Sequence, residues 1–270
     1  TVANDYQLRE SILRQEYNQA DSICISYPKC GRTWIRHVLG HYMHLQYGVE
    51  NTHRLNSLKE NIKARQEAQC PLVSFTHDNH SFASEISHKE FDKLQIKKFI
   101  FEDIYKSKKL IFLMRDPIDA SVSYYKMCKN MTNVFEGSFE DWLSHPIFGL
   151  DALAQWYQIA YSIWQEHQNS CVLHYENLKQ ERYEWRDLIR FVTDENVNND
   201  WLDESLQARD FASLKQKEMK AKNITDPDSD KLFVRQGGRD YQFELPEHIQ
   251  KIIRDHKQLD KARQCVESMV

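Results

Sequence analysis

Four short apolar runs, each bounded by polar residues, constrain the fold of this chain more than any other feature of its sequence. They cover residues 22–27, 72–76, 110–114 and 171–175. Ile, Val, Leu and Phe dominate these runs, which is typical of parallel strands that are covered on both faces. The runs therefore predict a buried parallel sheet.

The segments between these runs and after the last one have helical patterns. In the clearest one, over residues 182–192, apolar side chains recur three or four residues apart, at Trp185, Leu188, Ile189 and Val192. The other predicted helices cover residues 33–46, 117–129, 150–168 and, at the C-terminal end, about 246–265. Only 7 Gly and 6 Pro in 270 residues favour many helices with short connections. This alternation predicts an α/β fold, with a central parallel sheet flanked by helices, in a single domain over residues 1–270.

Composition excludes several classes of protein. The chain has 36 basic and 40 acidic residues, a net charge of −4, so no global positive field exists to hold nucleic acid. Its longest apolar stretches are about five residues long, whereas a membrane span needs ~20. No basic-then-apolar signal opens the chain, and its six cysteines include no CxxC pair. We therefore expect a cytoplasmic protein with reduced thiols, bound neither to nucleic acid nor to a membrane.

The loop after the first run carries the first candidate site. It reads Tyr27-Pro28-Lys29-Cys30-Gly31-Arg32-Thr33-Trp34 and opens a predicted helix. A strand, a tight loop and a helix N-terminus form a phosphate cradle, because the loop N–H groups and the positive end of the helix dipole converge on an anion. Lys29 adds a full positive charge. A Walker A sequence has two Gly and places its Lys after the second, whereas Lys29 precedes the only Gly of this loop, so the turn is P-loop-like but not a Walker A sequence. An ordinary strand-to-helix turn is the alternative.

A second candidate site follows the third run, where the sequence reads Arg115-Asp116-Pro117-Ile118-Asp119-Ala120-Ser121-Val122-Ser123-Tyr124-Tyr125. Asp116 is a favourable N-cap and Pro117 a favourable first helical residue. Arg115 lies at the carboxyl end of the predicted strand, and its guanidinium suits bidentate phosphate recognition. The hydroxyl of Ser123, in the second turn of the helix, can face the same crevice. By itself the segment also fits a helix cap beside a surface arginine.

Together the two segments resemble the cytosolic sulfotransferase family, whose motifs read Y-P-K-S-G-T-T-W and R-N-P-K-D-V-A-V-S-Y-Y. Members of that family transfer a sulfuryl group from 3′-phosphoadenosine-5′-phosphosulfate (PAPS) and release adenosine 3′,5′-bisphosphate (PAP). The resemblance covers about residues 20–240. It implies the sulfotransferase fold, PAPS as cosubstrate and a small-molecule acceptor with a hydroxyl or an amine.

The resemblance also implies which residues bind the donor. Lys29, Gly31 and Thr33 are expected to hold the 5′-phosphosulfate, and Arg115 and Ser123 the 3′-phosphate. The full set of implied donor-binding residues is Lys29, Cys30, Gly31, Arg32, Thr33, Trp34, Arg115, Ser123, Tyr175, Phe211, Phe233, Arg235, Gln236 and Gly237.

Several of these positions match aromatic or late motifs of the family. Trp34 and Tyr175 are expected to contact the adenine, and Phe211 matches the Phe of an S-F-x-x-M segment. The late F-x-R-K-G loop of the family is matched around Arg235 and Gly237, which are expected to close over the 3′-phosphate.

The chain departs from the family pattern at three of these positions. Cys30 replaces a Ser, Arg32 replaces a Thr and adds charge beside the phosphates, and Gln236 replaces a Lys. The late loop over residues 233–241 is about two residues shorter than the family pattern, so its alignment is the least secure. No counterpart of the C-terminal dimerisation motif is found, so the oligomeric state stays open.

The loop after the second run supplies the candidate general base. The family has K-T-H here, and its His accepts the proton of the acceptor; His77 matches that His, whereas Phe75 replaces the Lys. A positioned imidazole suits this chemistry, because a hydroxyl attacks sulfur weakly unless its proton is removed as the S–O bond forms. Without a lysine at position 75, Lys29 is expected to stabilise the leaving phosphate. His80 and Asp78 are the alternatives for the base.

Two other functions and a metal site remain alternatives at this point. A P-loop-type nucleotide kinase or hydrolase needs a Walker A loop and a metal-holding Asp, and a non-catalytic nucleotide-binding protein does not need His77. His37, His41 and His44 have a helical spacing that zinc ligands use, but further ligands are not evident. We expect no metal, because Lys and backbone N–H groups can bear the charge that develops in sulfuryl transfer.

Overall fold

The four apolar runs form one parallel sheet in the computed structural model of the protein. The structure describes residues 2–49, 62–82, 97–226, 229, 232 and 245–269. Its strands are β1 (Ser22–Ser26), β2 (Val73–Thr76), β3 (Lys109–Met114) and β4 (Ser170–His174). Each strand begins and ends within one residue of its predicted run, and the α/β class is confirmed.

The strand registers bring the carboxyl ends of all four strands to one edge of the sheet. Ser22 at the start of β1 is opposite Val73 of β2 and Lys109 of β3. At the other end, Met114 of β3 is opposite His174 of β4. Residues that directly follow the strands therefore meet along this edge, where α/β sheets bind their ligands.

The order of the strands is β2-β1-β3-β4. The chain leaves β1 toward β2 on one side and later returns to β3 on the other, so a crevice opens outside the carboxyl end of β1. The loop after β1 therefore lies between the loop after β2 and the loop after β3. This order decides which candidate residues become neighbours.

Helices connect the strands and bury them. The described α-helices are α1 (Val2–Gln19), α2 (Arg32–Tyr47), α3 (Ile62–Glu67), α4 (Glu102–Tyr105), α5 (Pro117–Asn130), α6 (Phe139–Leu143), α7 (Leu150–Glu166), α8 (Tyr175–Gln180), α9 (Arg182–Thr193), α10 (Asn199–Ala208), α11 (Phe211–Lys222), α12 (Glu247–Arg254) and α13 (Lys257–Ser268). Four of the predicted helices, now α2, α5, α7 and α9, agree with the structure to within two residues at each end. Over the described residues, no helix combines the length and the apolar character that crossing a membrane requires.

The core lies on the sheet and under the apolar faces of the helices. Ile23, Cys24 and Ile25 of β1 are completely buried, as expected for a strand covered on both faces. The apolar face predicted for α9 is also buried, since Trp185 and Leu188 are at most 1% exposed. Complete burial of one such side chain contributes ~1.5–3 kcal/mol to folding.

Helix α1 was not predicted, although it packs on the sheet. Tyr17 is 1% exposed and belongs to the core, and Tyr6 and Leu13 pack against that core. Arg14 ties the helix to the loop before α4, because its Nη2 donates a hydrogen bond to the carbonyl oxygen of Ile100 over 2.8 Å. The spacing of Tyr6, Leu13 and Tyr17 is helical, so the sequence did contain the signal.

The single C-terminal helix expected over about residues 246–265 is wrong, because the structure has two helices there, α12 and α13. The break falls at His256, whose Nδ1 accepts a hydrogen bond from the N–H of Leu259 over 3.2 Å and so starts a new helix. The apolar spacing changes at the same place. Ile253 and Leu259 are both buried but six residues apart, which one straight helix cannot place on one face.

We predict that His256→Ala destabilises the protein through this second helix start. Loss of a side-chain N-cap costs ~0.5–2 kcal/mol. Chemical denaturation of His256→Ala is compared with that of His248→Ala, which removes a histidine whose side chain is 64% exposed. We expect a measurable loss in the free energy of unfolding for His256→Ala and a loss near zero for His248→Ala. Equal losses of unfolding free energy in the two variants contradict the capping role.

Candidate functional site

The loop after β1 is a tight turn in which two residues have positive φ angles, 70° at Lys29 and 101° at Gly31. Gly31 adopts this conformation without strain, and a Cβ there would lie 2.5 Å from the ring of Tyr175. The turn leads directly into α2, whose first turn has no capping side chain and no acidic residue among the described residues. Free N–H groups and the positive end of the helix dipole therefore point at a position that suits an anion.

Arg115, at the carboxyl end of β3, braces this turn. Its side chain is 5% exposed, and its Nη1 donates a hydrogen bond to the carbonyl oxygen of Lys29 over 2.9 Å. Its Nε lies 3.9 Å from Oε1 of Glu176. The hydroxyl of Tyr157 donates a hydrogen bond to the carbonyl oxygen of Arg115 over 3.1 Å. One positive charge is thus held beside the turn by contacts within the protein.

Tyr175, the first residue after β4, packs against the same turn. Its ring lies between two cations, with Cζ of Arg115 at 4.6 Å and Nζ of Lys179 at 4.4 Å from the ring centroid. Burial lowers the pKa of Lys179 below its ordinary value. Because the ring also limits the space at Gly31, residues that follow β1, β3 and β4 meet here.

Three more of the predicted donor residues lie on the helices that follow β1 and β3. Thr33 is in the first turn of α2, and Ser123 is buried on α5. Nε1 of Trp34 donates a hydrogen bond to the carbonyl oxygen of Arg209 over 3.2 Å, and its ring meets that of Trp185 edge-on at 5.0 Å. Trp34 is therefore held by one polar and one aromatic contact on the α2 side of the turn.

Cys30 faces the core rather than the turn. Its side chain is completely buried, with Sγ 3.7 Å from the hydroxyl oxygen of Tyr157. Burial raises the pKa of this thiol to about 12, so it stays protonated. Only the backbone of Cys30 is left to take part in an anion cradle.

The late donor residues are described in part. Phe211 is the first residue of α11, whose N-cap is Asp210. The other members of this group lie outside the described residues: Phe233, Arg235, Gln236 and Gly237.

A cavity of about 400 Å³ opens on the β2 side of the turn. Lys29 and Arg32 line it from the turn and the start of α2, and His77 lines it from the loop after β2. Helix α1 and Arg36 of α2 contribute further side chains to its wall. Lys29 and His77, which the resemblance assigned to one reaction, therefore line one cavity.

The hydrogen bonds of His77 select its tautomer. Its Nδ1 lies 2.8 Å from the carbonyl oxygen of Ser26, which can only accept, so Nδ1 carries the proton. The lone pair is left on Nε2. Burial, and next the positive charge of Arg32, lower the pKa of His77 well below its ordinary value. The imidazole is therefore neutral at neutral pH and able to accept a proton.

His80 and Asp78, the alternatives for the base, are placed for structural roles. His80 packs among the rings of Tyr27 and Tyr124, and burial lowers its pKa to about 3. Asp78 accepts a hydrogen bond from the N–H of Ile100 over 2.7 Å and one from the hydroxyl of Tyr105 over 2.5 Å. Burial raises the pKa of Asp78 to about 7 despite these bonds.

Sequence reasoning missed several side chains that line the cavity. Arg9 and Glu16 reach it from α1, and Arg36 reaches it from α2, one helical turn beyond Arg32. The i, i+4 spacing of Arg32 and Arg36 was a signal that both share one helix face. Within the described part of the chain, no group of His, Cys, Asp or Glu is arranged to hold a metal ion.

Comparison with protein families gives one match that spans nearly the whole chain. The profile of the sulfotransferase domain family matches residues 19–266. Human sulfotransferase 2A1 is 26% identical over 215 residues, which cover 78% of this chain and 70% of that protein. Dog sulfotransferase 1B1 is 25% identical over 224 residues, which cover 80% of this chain and 72% of that protein.

Two solved structures share the fold. Mouse sulfotransferase SULT7A1 complexed with PAP has a TM-score of 0.54 and 18% identity, over 93% of this chain and 89% of that chain. Retinol dehydratase in complex with androsterone and the inactive cofactor PAP has a TM-score of 0.52 and 15% identity, over 93% of this chain and 81% of that chain.

We predict that Gly31→Ala destabilises the protein more than Gly48→Ala. Both glycines have positive φ angles, but a Cβ at Gly48 meets no atom within 4 Å, whereas a Cβ at Gly31 meets Tyr175. Backbone strain of this kind costs ~1–3 kcal/mol at each position, and the clash adds to it only at Gly31. Denaturation curves of Gly31→Ala and Gly48→Ala measure the loss of stability in each variant. A double variant, Gly31→Ala with Tyr175→Ala, removes the clash. Equal losses of unfolding free energy in the two single variants show that Tyr175 does not restrict the turn.

Proposed function

Since this chain belongs to the sulfotransferase domain family and is a PAPS-dependent enzyme, we propose that Lys29 and His77 carry out sulfuryl transfer to a hydroxyl or amine of a small-molecule acceptor. The observation that carries the proposal is that both side chains line one cavity. They follow neighbouring strands, β1 and β2. An in-line attack on sulfur needs the acceptor opposite the leaving oxygen, and two adjacent strand ends supply one group for each side.

The turn after β1 and Arg115 are the proposed binding site of PAPS. The 5′-phosphosulfate is assigned to the turn, where N–H groups, the start of α2 and Lys29 suit an anion. The 3′-phosphate is assigned to Arg115 and Ser123, on the opposite side from His77. The neighbouring structures of SULT7A1 and retinol dehydratase hold PAP, which supports a site for the same nucleotide here.

The proposed reaction balances without a metal. The acceptor oxygen or nitrogen forms a bond to sulfur, and the bond from sulfur to the bridging oxygen of PAPS breaks. The acceptor proton passes to Nε2 of His77, and the electron pair stays on the 5′-phosphate of PAP. Lys29 stabilises the negative charge that grows on that phosphate, which is an interaction stronger in the transition state than in the ground state.

The choice of His77 over His80 rests on their surroundings. The bond from Nδ1 of His77 to the carbonyl oxygen of Ser26 directs its basic nitrogen away from the sheet. His80 packs among aromatic rings, and among the described residues neither of its ring nitrogens has a hydrogen-bond partner that would fix one tautomer. The fixed tautomer of His77, which leaves Nε2 unprotonated, is therefore the reason to choose this histidine as the base.

Family membership also weighs against the alternative functions. A nucleotide kinase or hydrolase is disfavoured by the family match and by the lack of a Walker A turn. A non-catalytic nucleotide-binding protein has no need for a neutral histidine in the cavity beside Lys29. The expected cytoplasmic location and the expected lack of nucleic-acid and membrane partners stay predictions.

We predict that Lys29→Ala and Arg115→Ala fail in different ways. Arg115 faces a phosphate that does not change during the reaction, so its loss weakens PAP binding, by ~10-fold or more for a charge-assisted hydrogen bond of ~1.5–3 kcal/mol. Lys29 faces the charge that develops, so its loss lowers kcat more than affinity.

Calorimetry with PAP in EDTA and single-turnover rates with PAPS measure the two effects, with Lys106→Ala on the exposed surface as the control. Wild-type protein that fails to bind PAP in EDTA would falsify the donor site. The division of roles is contradicted if Lys29→Ala and Arg115→Ala lose kcat equally and Arg115→Ala keeps the wild-type dissociation constant for PAP.

We predict that activity is flat across neutral pH and falls only in acid. His77 acts in its neutral form, and its pKa is lowered, so the rate is lost as pH falls through a value below 6.5, the ordinary pKa of histidine. His77→Asn removes this acid limb and lowers kcat by ~10²–10⁴-fold.

The matched variant for this test is His80→Asn. It is expected to lower thermal stability while it keeps the acid limb of the pH–rate profile. If His80→Asn loses the limb and His77→Asn keeps it, the base has been assigned to the wrong histidine.

A further inference from the structure

We propose that the acceptor is an organic anion, which carries a carboxylate or similar group besides the hydroxyl or amine that receives the sulfuryl group, and that Arg36 and Arg32 bind this anionic group. The inference rests on the proposed function, because it names the acceptor class for the same cavity. It starts from the charges that line the cavity.

Positive charge exceeds negative charge around the cavity. Among the described residues that line it, Arg9, Lys29, Arg32 and Arg36 are basic, and Glu16 is the one carboxylate. Oε1 of Glu16 lies 3.4 Å from the hydroxyl of Ser74, on the sheet side. The 5′-phosphosulfate of PAPS is assigned to Lys29 and the turn, so it does not account for the charges of Arg32 and Arg36.

Arg36 and Arg32 form a close pair of like charges. They are four residues apart on α2, so their side chains leave the same face of the helix, where like charges repel. Over the described residues, no carboxylate oxygen lies within 4.0 Å of either guanidinium, and Nε of Arg36 is buried without a hydrogen-bond partner. The guanidinium of Arg36 lies instead over the ring of Phe75, 4.8 Å from its centroid.

Burial makes this pair costly and still leaves it charged. Burial lowers the pKa of Arg32 to about 10, and burial together with the charge of Arg32 lowers the pKa of Arg36 to about 9. Both guanidinium groups are therefore cationic at neutral pH. Glu16 acts on both charges, but its carboxylate is not within ion-pair distance of either guanidinium. An anion that enters beside this buried pair stabilises it, because the anion offsets both the repulsion and the lost solvation.

The rest of the wall suits an apolar body between the two polar ends of the acceptor. Leu13, Tyr124, Met127 and Val134 line the same space, and a volume of about 400 Å³ accommodates a small aromatic molecule. His77 receives the proton of the hydroxyl, and Arg36 lies in the part of the cavity wall that α2 forms. The chemistry that fits is a hydroxyaryl or hydroxyalkyl compound with an acid group.

Another role for the arginines is to assist the transferred sulfuryl group, since Phe75 replaces the lysine that the family has there. The two roles differ in one measurable respect. A guanidinium that acts on the sulfuryl group affects every acceptor equally, whereas one that binds the acceptor anion affects only charged acceptors.

The test uses two acceptors that differ in charge alone, para-hydroxyphenylpropionate and its primary amide, with PAPS as donor. We expect the wild-type enzyme to have a kcat/KM at least ~10-fold higher for the carboxylate, as a charge-assisted hydrogen bond predicts. Arg36→Gln should lower the ratio of the two kcat/KM values by ~10- to 100-fold. The exposed Arg186→Gln on α9 is the matched control and should keep the wild-type ratio.

Where turnover is undetectable, a binding measurement tests whether Arg36 binds the anionic group of the acceptor. In the presence of PAP, the carboxylate should raise the melting temperature of the wild-type protein more than the amide does, and Arg36→Gln should abolish that difference. No difference between the two acceptors in the wild-type protein, or an equal loss for both in Arg36→Gln, overturns the inference. Failure of the proposed function is distinct, because it appears as absent PAP binding or absent sulfuryl transfer to acceptors of either charge.

Discussion

The hydrogen bond from Arg115 to the carbonyl oxygen of Lys29 is the contact on which the site depends. It joins the end of β3 to the turn after β1, and it fixes Lys29 in a backbone conformation that a non-glycine residue rarely adopts. Held in this way, the turn directs its N–H groups and the start of α2 to one point. The same bond leaves a buried guanidinium beside that point.

Strand order then divides the space around the turn into two halves. Because β1 lies between β2 and β3, the turn has Arg115 on one side and His77 on the other. The donor phosphates are assigned to the first half and the acceptor to the second, so the sulfuryl group passes across the turn at Lys29. Helix α1 closes the second half, and it brings side chains from the start of the chain next to residues of α2 and α5.

The parts of this picture that sequence reasoning reached are those determined locally. The strands were found to within one residue because each is a short apolar run bounded by polar residues, and Lys29, Arg115 and His77 were found because they follow such runs. Burial on both faces was predicted correctly for β1, β2 and β3, whereas β4 is half-buried except at Leu173. Helix α1 and Arg36 were missed although their spacings are helical, because spacing does not show which distant segments a helix face packs against. The C-terminal segment was predicted as one helix because His256, which caps the second helix, is an unusual N-cap residue. The donor residues expected at 233–237 lie outside the described part of the chain.

The buried thiol of Cys30 has a consequence for how the enzyme responds to oxidants. A cysteine in the middle of a phosphate-binding turn invites comparison with redox sensors, which rely on an exposed thiolate. Here the sulfur is completely buried and its pKa is raised to about 12, so neither peroxide nor an alkylating reagent meets a reactive species. The replacement of a hydroxyl by a thiol at this place therefore adds no reactive sulfur to the turn.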